Sequence, residues 1–236
     1  QFTDALNVEY LQIGSDETKA ALRIKIFPKN TTPAEMEDVL WVYVLAAPFY
    51  TIENEVSLNN LQALWSGQHE SDLNFNHIYL TERTKSAFET LLGESDQKTV
   101  TVVTNHELDE FAIGDDPILV LLPFEELNAH WKVMRVEEQA PIDTLFDPQS
   151  YPLAFRIGVD GDVSEANIVL PSTNFDPNQR TNLVMTGVTA LTRATAYQMA
   201  LHGNQFPGQD IQEILSSADL AHISNEVPFA ENCPDP

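Results

Sequence analysis

Residues 39–47, Val-Leu-Trp-Val-Tyr-Val-Leu-Ala-Ala, form an unbroken apolar run. A strand with one wet face would alternate; a run without alternation suits a strand covered on both faces. Pro117–Pro123 (PILVLLP) is a second run of the same kind. Two such strands require a layered α/β fold with helices on both sides of a sheet, and the segments around them supply the helices. Ser57 caps a helix through Trp65 that turns Leu58, Leu61, Leu64 and Trp65 inward and closes at Gly67. His77–Leu80 is a short strand, Thr81 caps a helix over Glu82–Leu92, and Gly93 ends it. Thr99–Thr104 is a strand, followed by a short acidic helix near Glu107–Phe111. A helical turn over Phe124–Asn128 precedes Trp131–Val136, which alternates as an edge or hairpin strand. The alternating order implies a mixed, mostly parallel sheet.

Flanking segments extend this core. Ala21–Phe27 alternates with Leu22, Ile24 and Ile26 on one side and reads as a half-buried strand. Pro28–Asp38 is a polar connection that carries a sequon pattern at Asn30-Thr31-Thr32. Tyr151–Val159 and Val163–Pro171 flank Asp160-Gly161, a hairpin signal that outweighs a calcium reading of Asp160 and Asp162. Pro171–Arg180 is polar, holds two prolines and reads as a linker. Beyond it, Leu183–Met185 is an apolar strand expected to turn at Gly187. A helix follows, with Val188, Leu191, Ala194, Tyr197 and Leu201 near a 3.6-residue period. Another helix around Asp210–Ser217 and a strand near Leu220–Ile223 complete the chain's readable elements.

Charge and cysteine usage bound the function. Twelve Lys and Arg stand against 36 Asp and Glu, a formal net charge of −24 with a pI near 4.3. Such a field repels nucleic acid and anionic membranes and attracts cations, so nucleic acid is not an expected partner. Cys233 is the single cysteine, so no disulfide forms within the chain and no Cys-rich metal motif exists. No apolar run approaches a membrane span and no signal peptide is present. The start at Gln1 without Met leads us to expect that an N-terminal segment has been removed, and the end at Pro236 reads as an unfinished domain.

Two family resemblances add to this reading. Ala47–Gly67 and Asp115–Asp143 look like segments of periplasmic solute-binding proteins of the phosphate-binding type. There a strand leads to a Ser-Leu helix ending in an aromatic-Ser-Gly turn, and a later buried strand ending in Pro-Phe precedes a Trp-Lys-Val strand. The helix Glu82–Leu92, with its cap Thr81, would then face an anion. Thr81, Arg83 and Thr84 at its start, with Trp131 and Lys132 lining a cleft, are the candidate ligand-binding residues. The bland alternatives are an ordinary N-cap and core packing of Trp131.

Residues 182–236 are similar to the start of the CapA family, poly-γ-glutamate capsule proteins with a calcineurin-like metallophosphoesterase fold. The motifs are Thr186-Gly187-Val188-Thr189-Ala190-Leu191-Thr192-Arg193 and Ala218-Asp219-Leu220 through Asn225-Glu226-Val227-Pro228. The resemblance implies a divalent cation, Mn or Mg, held in part by Asn225 and Glu226. Val188 stands where the family has an Asp ligand and Thr192 where it has a Gly, which implies a degenerate centre. Together the resemblances imply a solute-binding-type domain over 1–176 and the incomplete first strand–helix units of a second α/β domain over 177–236. The implied protein is extracytoplasmic and bacterial, an accessory or binding module of poly-γ-glutamate capsule synthesis. Its partner would be a small anion or a cell-envelope polymer such as polyglutamate. Two alternatives remain: an active metal-dependent phosphoesterase, and a receptor for a small anionic solute.

Overall fold

The computed structural model describes residues 22–27, 38–68, 74–114, 116–161 and 173–225. The chain divides into two compact units, residues 1–176 and 177–236.

The first unit is built on β2 (Asp38–Pro48), in which every residue from Val39 onward is buried. One edge of β2 pairs antiparallel with β6 (Ile118–Pro123), from Tyr43↔Pro123 to Ala46↔Val120. Its other edge is shared. β9 (Ala154–Gly161) takes the first half and β7 (Trp131–Val133) the second, both antiparallel. β1 (Leu22–Phe27) pairs antiparallel with β9. Beyond β6 lie β4 (His77–Leu80) and then β5 (Val100–Val102), and β6, β4 and β5 run parallel. The sheet is therefore mixed, as the sequence implies, but its parallel part is this three-strand block alone. The other four pairings of this sheet among the described residues are antiparallel. A separate parallel pair joins β3 (Glu55–Val56) to β8 (Arg135–Val136).

Alternation along β2 and β6 sends side chains to two cores. Tyr43, Leu45, Leu119 and Leu121 face one cluster, with α1 (Leu58–Trp65) and α2 (Glu82–Leu92) contributing Leu61, Leu64, Trp65 and Phe88. Val44, Ala46, Val120 and Leu122 face the other, covered by Leu108 and Ala112 at α3 (Asn105–Phe111) and joined by Trp131. That two-sided cover is why these runs carry no polar positions. Trp65 is fully buried and its indole donates to the Gly93 carbonyl at 2.9 Å, so the end of α2 is tied to α1.

The second unit contains β10 (Leu183–Thr189) and β11 (Leu220–Asn225), paired parallel, with α4 (Arg193–His202) and α5 (Gln212–Ser217) between them. Gly187 does not turn the chain into a helix. It lies inside β10, where the register shifts between Met185 and Val188, and α4 begins only at Arg193. Asp160 and Gly161 likewise do not turn; they end β9, where Arg23↔Asp160 and Leu22↔Gly161 continue the ladder. The second arm of that expected hairpin, the sequon at Asn30 and Cys233 lie outside the described residues.

Candidate functional site

The three parallel strands end together. Leu80 stands level with Leu121 and Val102, and Val103 donates its backbone N–H to the Leu80 carbonyl at 2.9 Å. At this carboxyl edge β4 runs into α2 and β5 into α3, so both helices begin there, which is where open α/β sheets hold ligands. Thr81 caps α2: its Oγ1 accepts from the Thr84 N–H at 3.4 Å and lies 3.1 Å from the Thr84 hydroxyl. Thr84 is buried and Arg83 is exposed on the first turn. The first turn of a helix directs N–H groups outward along its axis and carries a partial positive charge, a local attraction for an anion.

The amino end of α3 is already filled. Thr104 and Glu107 form a reciprocal capping box, the Glu107 carboxylate accepting from the Thr104 N–H at 2.7 Å and hydroxyl at 2.8 Å. These bonds hold the Glu107 carboxyl below its usual range. After β6, Glu125 and Glu126 bring further negative charge. Asn105 donates to Glu126 at 3.1 Å. Asn174 donates to Glu125 and to the Val42 carbonyl at 2.8 Å, and its own carbonyl accepts from the Val42 N–H at 2.7 Å. Burial pushes the Glu125 carboxyl up, against the opposing hydrogen bond from Asn174. Burial, and then the charges of Glu125 and Glu126, push the Tyr43 hydroxyl far above its ordinary value.

Trp131 and Lys132 stand elsewhere. β7 pairs with Ala46–Pro48, level with the start of β6, so these residues lie roughly 10–13 Å along the strands from Thr81. Trp131 is buried in the second core, and Lys132 donates its ammonium to the carbonyls of Thr51 at 2.7 Å and Ile52 at 3.2 Å. The structure thus bonds Thr81 to Thr84, leaves Arg83 exposed on the same first turn, and has Trp131 and Lys132 at the opposite edge.

That opposite edge holds what the sequence reading missed. A cavity of about 200 Å³ opens there, walled by Tyr50, Ile52, Glu53, Asn74, Phe75 and Asp116. A shallower one beside it shares Tyr50 and adds Phe49, Ile113 and His130. The readable signal was Phe49-Tyr50 directly after a buried strand, an aromatic pair where a turn would be polar.

In the second unit, Asn225 lies in register with Thr189, and Val188 with Ser224. Val188 is a strand residue, 63% exposed, and not the first residue of a turn. An amide with neighbouring hydroxyls is a poor shell for a hard cation, which takes several oxygens including carboxylates. Among the described residues no group of three or more His, Cys, Asp or Glu is placed to hold a metal, and Glu226 lies outside them.

No protein-family model and no curated protein matches the chain. Solved structures similar to it include an ABC-type phosphate transport receptor from Vibrio cholerae. The identity is 13%, covering 69% of this chain and 68% of that one, with a TM-score of 0.47. PstS from Borrelia burgdorferi is similar at 9% identity, covering 67% of this chain and 68% of its own, with a TM-score of 0.41. The CapA resemblance of residues 182–236 is corrected by these findings. No family model matches it, and neither of the two similar structures is described as a metallophosphoesterase. The assignments to a metallophosphoesterase fold and to poly-γ-glutamate capsule synthesis fall with it. The physical reason is local: a Gly that resembled a turn motif sits within a strand, and α4 starts six residues after it. Among the described residues, no helix is long and apolar enough to cross a membrane.

Proposed function

We propose that residues 1–176 act outside the cytoplasm as a receptor-type binding module for a small oxyanion, held at the amino end of α2. One observation supports this reading: an eleven-residue helix, capped by Thr81 and carrying an exposed Arg83 on its first turn, begins at the carboxyl edge of the parallel block. First-turn N–H groups other than that of Thr84, which caps back to Thr81, supply directional donors, and the Arg83 guanidinium supplies a charge-assisted one. Trp131 and Lys132 have no part in this reduced set. A tetrahedral oxyanion, with acceptors pointing several ways, matches such donors, so inorganic phosphate and sulfate are the first probes.

The surroundings set the strength of binding. Glu107, Glu125 and Glu126 at the same edge, and the net charge of −24, oppose an incoming anion. Salt that shortens the Debye length from about 30 Å at 10 mM to about 8 Å at 150 mM screens this repulsion more than the short contacts at the helix end. Phosphate affinity is therefore expected to rise with ionic strength, the reverse of a receptor lined by cations. Calorimetric titration of the full chain tests both points. Arg83→Ala is expected to weaken binding about fivefold, about 1 kcal/mol. An affinity unchanged by that substitution, or no saturable binding at either ionic strength, overturns the assignment.

A further inference from the structure

We propose that the cavity at the amino edge of the parallel block, walled by Tyr50, Ile52, Glu53, Asn74, Phe75 and Asp116, is a binding site for a small organic ammonium cation. It is separate from the oxyanion site, which lies at the other end of the same strands. Three observations converge on it.

The first is shape. Glu53 and Asn74 are bonded to each other across the cavity wall, joining the segment after β2 to the one before β4. The 49–53 segment is pinned from several sides. Phe49 donates its N–H to the Ala112 carbonyl at 3.2 Å, Thr51 to the Pro48 carbonyl at 3.0 Å, and the Lys132 ammonium holds the carbonyls of Thr51 and Ile52. The second side is fixed by the Asn76 N–H on the Pro117 carbonyl at 3.0 Å. The walls are thus formed before any ligand arrives. At about 200 Å³ the cavity lies below the range of drug-sized ligands, which restricts it to a head group of a few heavy atoms.

The second is chemistry. Tyr50 is 69% exposed and Ile52 88% exposed, while Phe75 in the lining is buried. The Tyr50 ring meets that of Phe49 edge to face at 5.8 Å, and an exposed tyrosine ring lining a cavity is a surface that a cation can approach through its π face. The third is charge. The lining carries two carboxylates, Glu53 and Asp116, and no cationic side chain. The Lys132 ammonium stands at the wall, on the carbonyls of Thr51 and Ile52. After hydrogen bonds from the backbone and from Asn74, its charge helps hold the Glu53 carboxyl below its usual range, so it offsets one of the two carboxylates. With Glu53 bonded to Asn74 and offset by Lys132, Asp116 leaves the lining one net negative charge, and the field of the whole chain adds to it in favour of a cation.

The test is a titration of the isotopically labelled full chain, followed by amide chemical shifts. Tetramethylammonium is the cationic probe, and tert-butanol is the uncharged probe of similar size. Saturable shifts at residues 50–53 and 74–76 are expected with tetramethylammonium and not with tert-butanol. Tyr50→Leu, which keeps an apolar wall and removes the π face, is expected to weaken binding roughly threefold. Asp116→Asn is expected to weaken it roughly fivefold. Both substitutions are at exposed positions, so the fold survives them. Equal binding of the uncharged probe, shifts that rise linearly without saturation, or affinities unchanged in both variants would overturn the proposal.

Discussion

Glu137 and Glu138 take backbone φ angles of +51° and +64°. They form a two-residue turn in which Val136 and Gln139 exchange N–H to carbonyl bonds of 2.9 and 3.2 Å. Such turns favour Asn and Gly, because a side chain at positive φ costs about 1–2 kcal/mol. Contacts from outside the turn hold the two glutamates there. The Glu137 carboxylate accepts from the Leu58 N–H at 2.7 Å, at the start of α1, and the Glu138 N–H donates to Glu55 at 3.0 Å. The Glu138 carbonyl accepts from Arg135, itself paired with both oxygens of Asp143 at 2.6 Å. Glu138→Gly keeps every one of these backbone bonds and removes the strain. It is expected to raise stability by about 1 kcal/mol, read as a higher denaturant midpoint at unchanged slope. Glu137→Ala removes the carboxylate from the helix start while keeping the strain, and is expected to lower stability by about 1 kcal/mol in the same assay. Glu125 provides a residue-scale test in pH. Its folded carboxyl titrates above the ordinary 4.5, chiefly through burial. The unfolded chain therefore loses this proton first. The resulting penalty is absent well below pH 4.5, grows as pH rises towards the folded value and persists above it. Glu125→Gln keeps an acceptor for Asn174 and is expected to raise the melting temperature at pH 7 but leave it unchanged near pH 3. A gain of equal size at both pH values would show that packing, and not charge, was the cause.

Elements whose signals were local could be read from the sequence. Thr81, Glu82–Leu92 and Gly93 give a cap, a periodic run and a terminator, and the helix has those limits. The Val39–Ala47 run lies in a strand buried on both faces, because helices cover both. What could not be read depended on distant partners. Asp160-Gly161 carries the composition of a turn, yet β1 pairs with β9 to its last residue, and the ladder wins over the turn signal. Gly187 marks an irregularity of register and not a strand end. The division of β2's edge between β9 and β7 is a matter of topology, which is why Trp131 and Lys132 could not be placed relative to Thr81. One local signal was legible and passed over: Thr104 and Glu107 have capping-box spacing, and the box forms. Because that box fills the start of α3 with the protein's own carboxylate, it removes one of two helix ends from competition for an anion. Thr104→Ala is expected to cost about 1 kcal/mol in equilibrium unfolding and to leave phosphate affinity unchanged. A changed affinity would place the ligand at α3 and not at α2.

On the scale of the whole molecule the apolar surface is divided unequally. The first unit buries large side chains on both faces of its sheet, among them Trp65, Phe88, Phe155, Leu45 and Leu121, each under 2% exposed. In the second unit none of the described residues is buried. Leu183, Met185, Val188, Tyr197, Leu201, Ile214 and Leu220 are each more than half exposed. Its strand pair also lacks further strands among the described residues, and two-stranded sheets are marginal without packing on a face. Opening free energy follows buried apolar contact, so the two units should open on different scales. Hydrogen exchange on the intact chain measures this directly. The amides of β2 and β6 are expected to exchange only through global unfolding, with protection that falls along the same slope as the denaturation curve. Those of β10 and β11 are expected to be protected on the order of 100-fold less, about 2.7 kcal/mol. Their protection should also be insensitive to low denaturant, since a local opening exposes little new surface. Equal protection in the two strand sets would overturn the expectation that the second unit opens separately from the first.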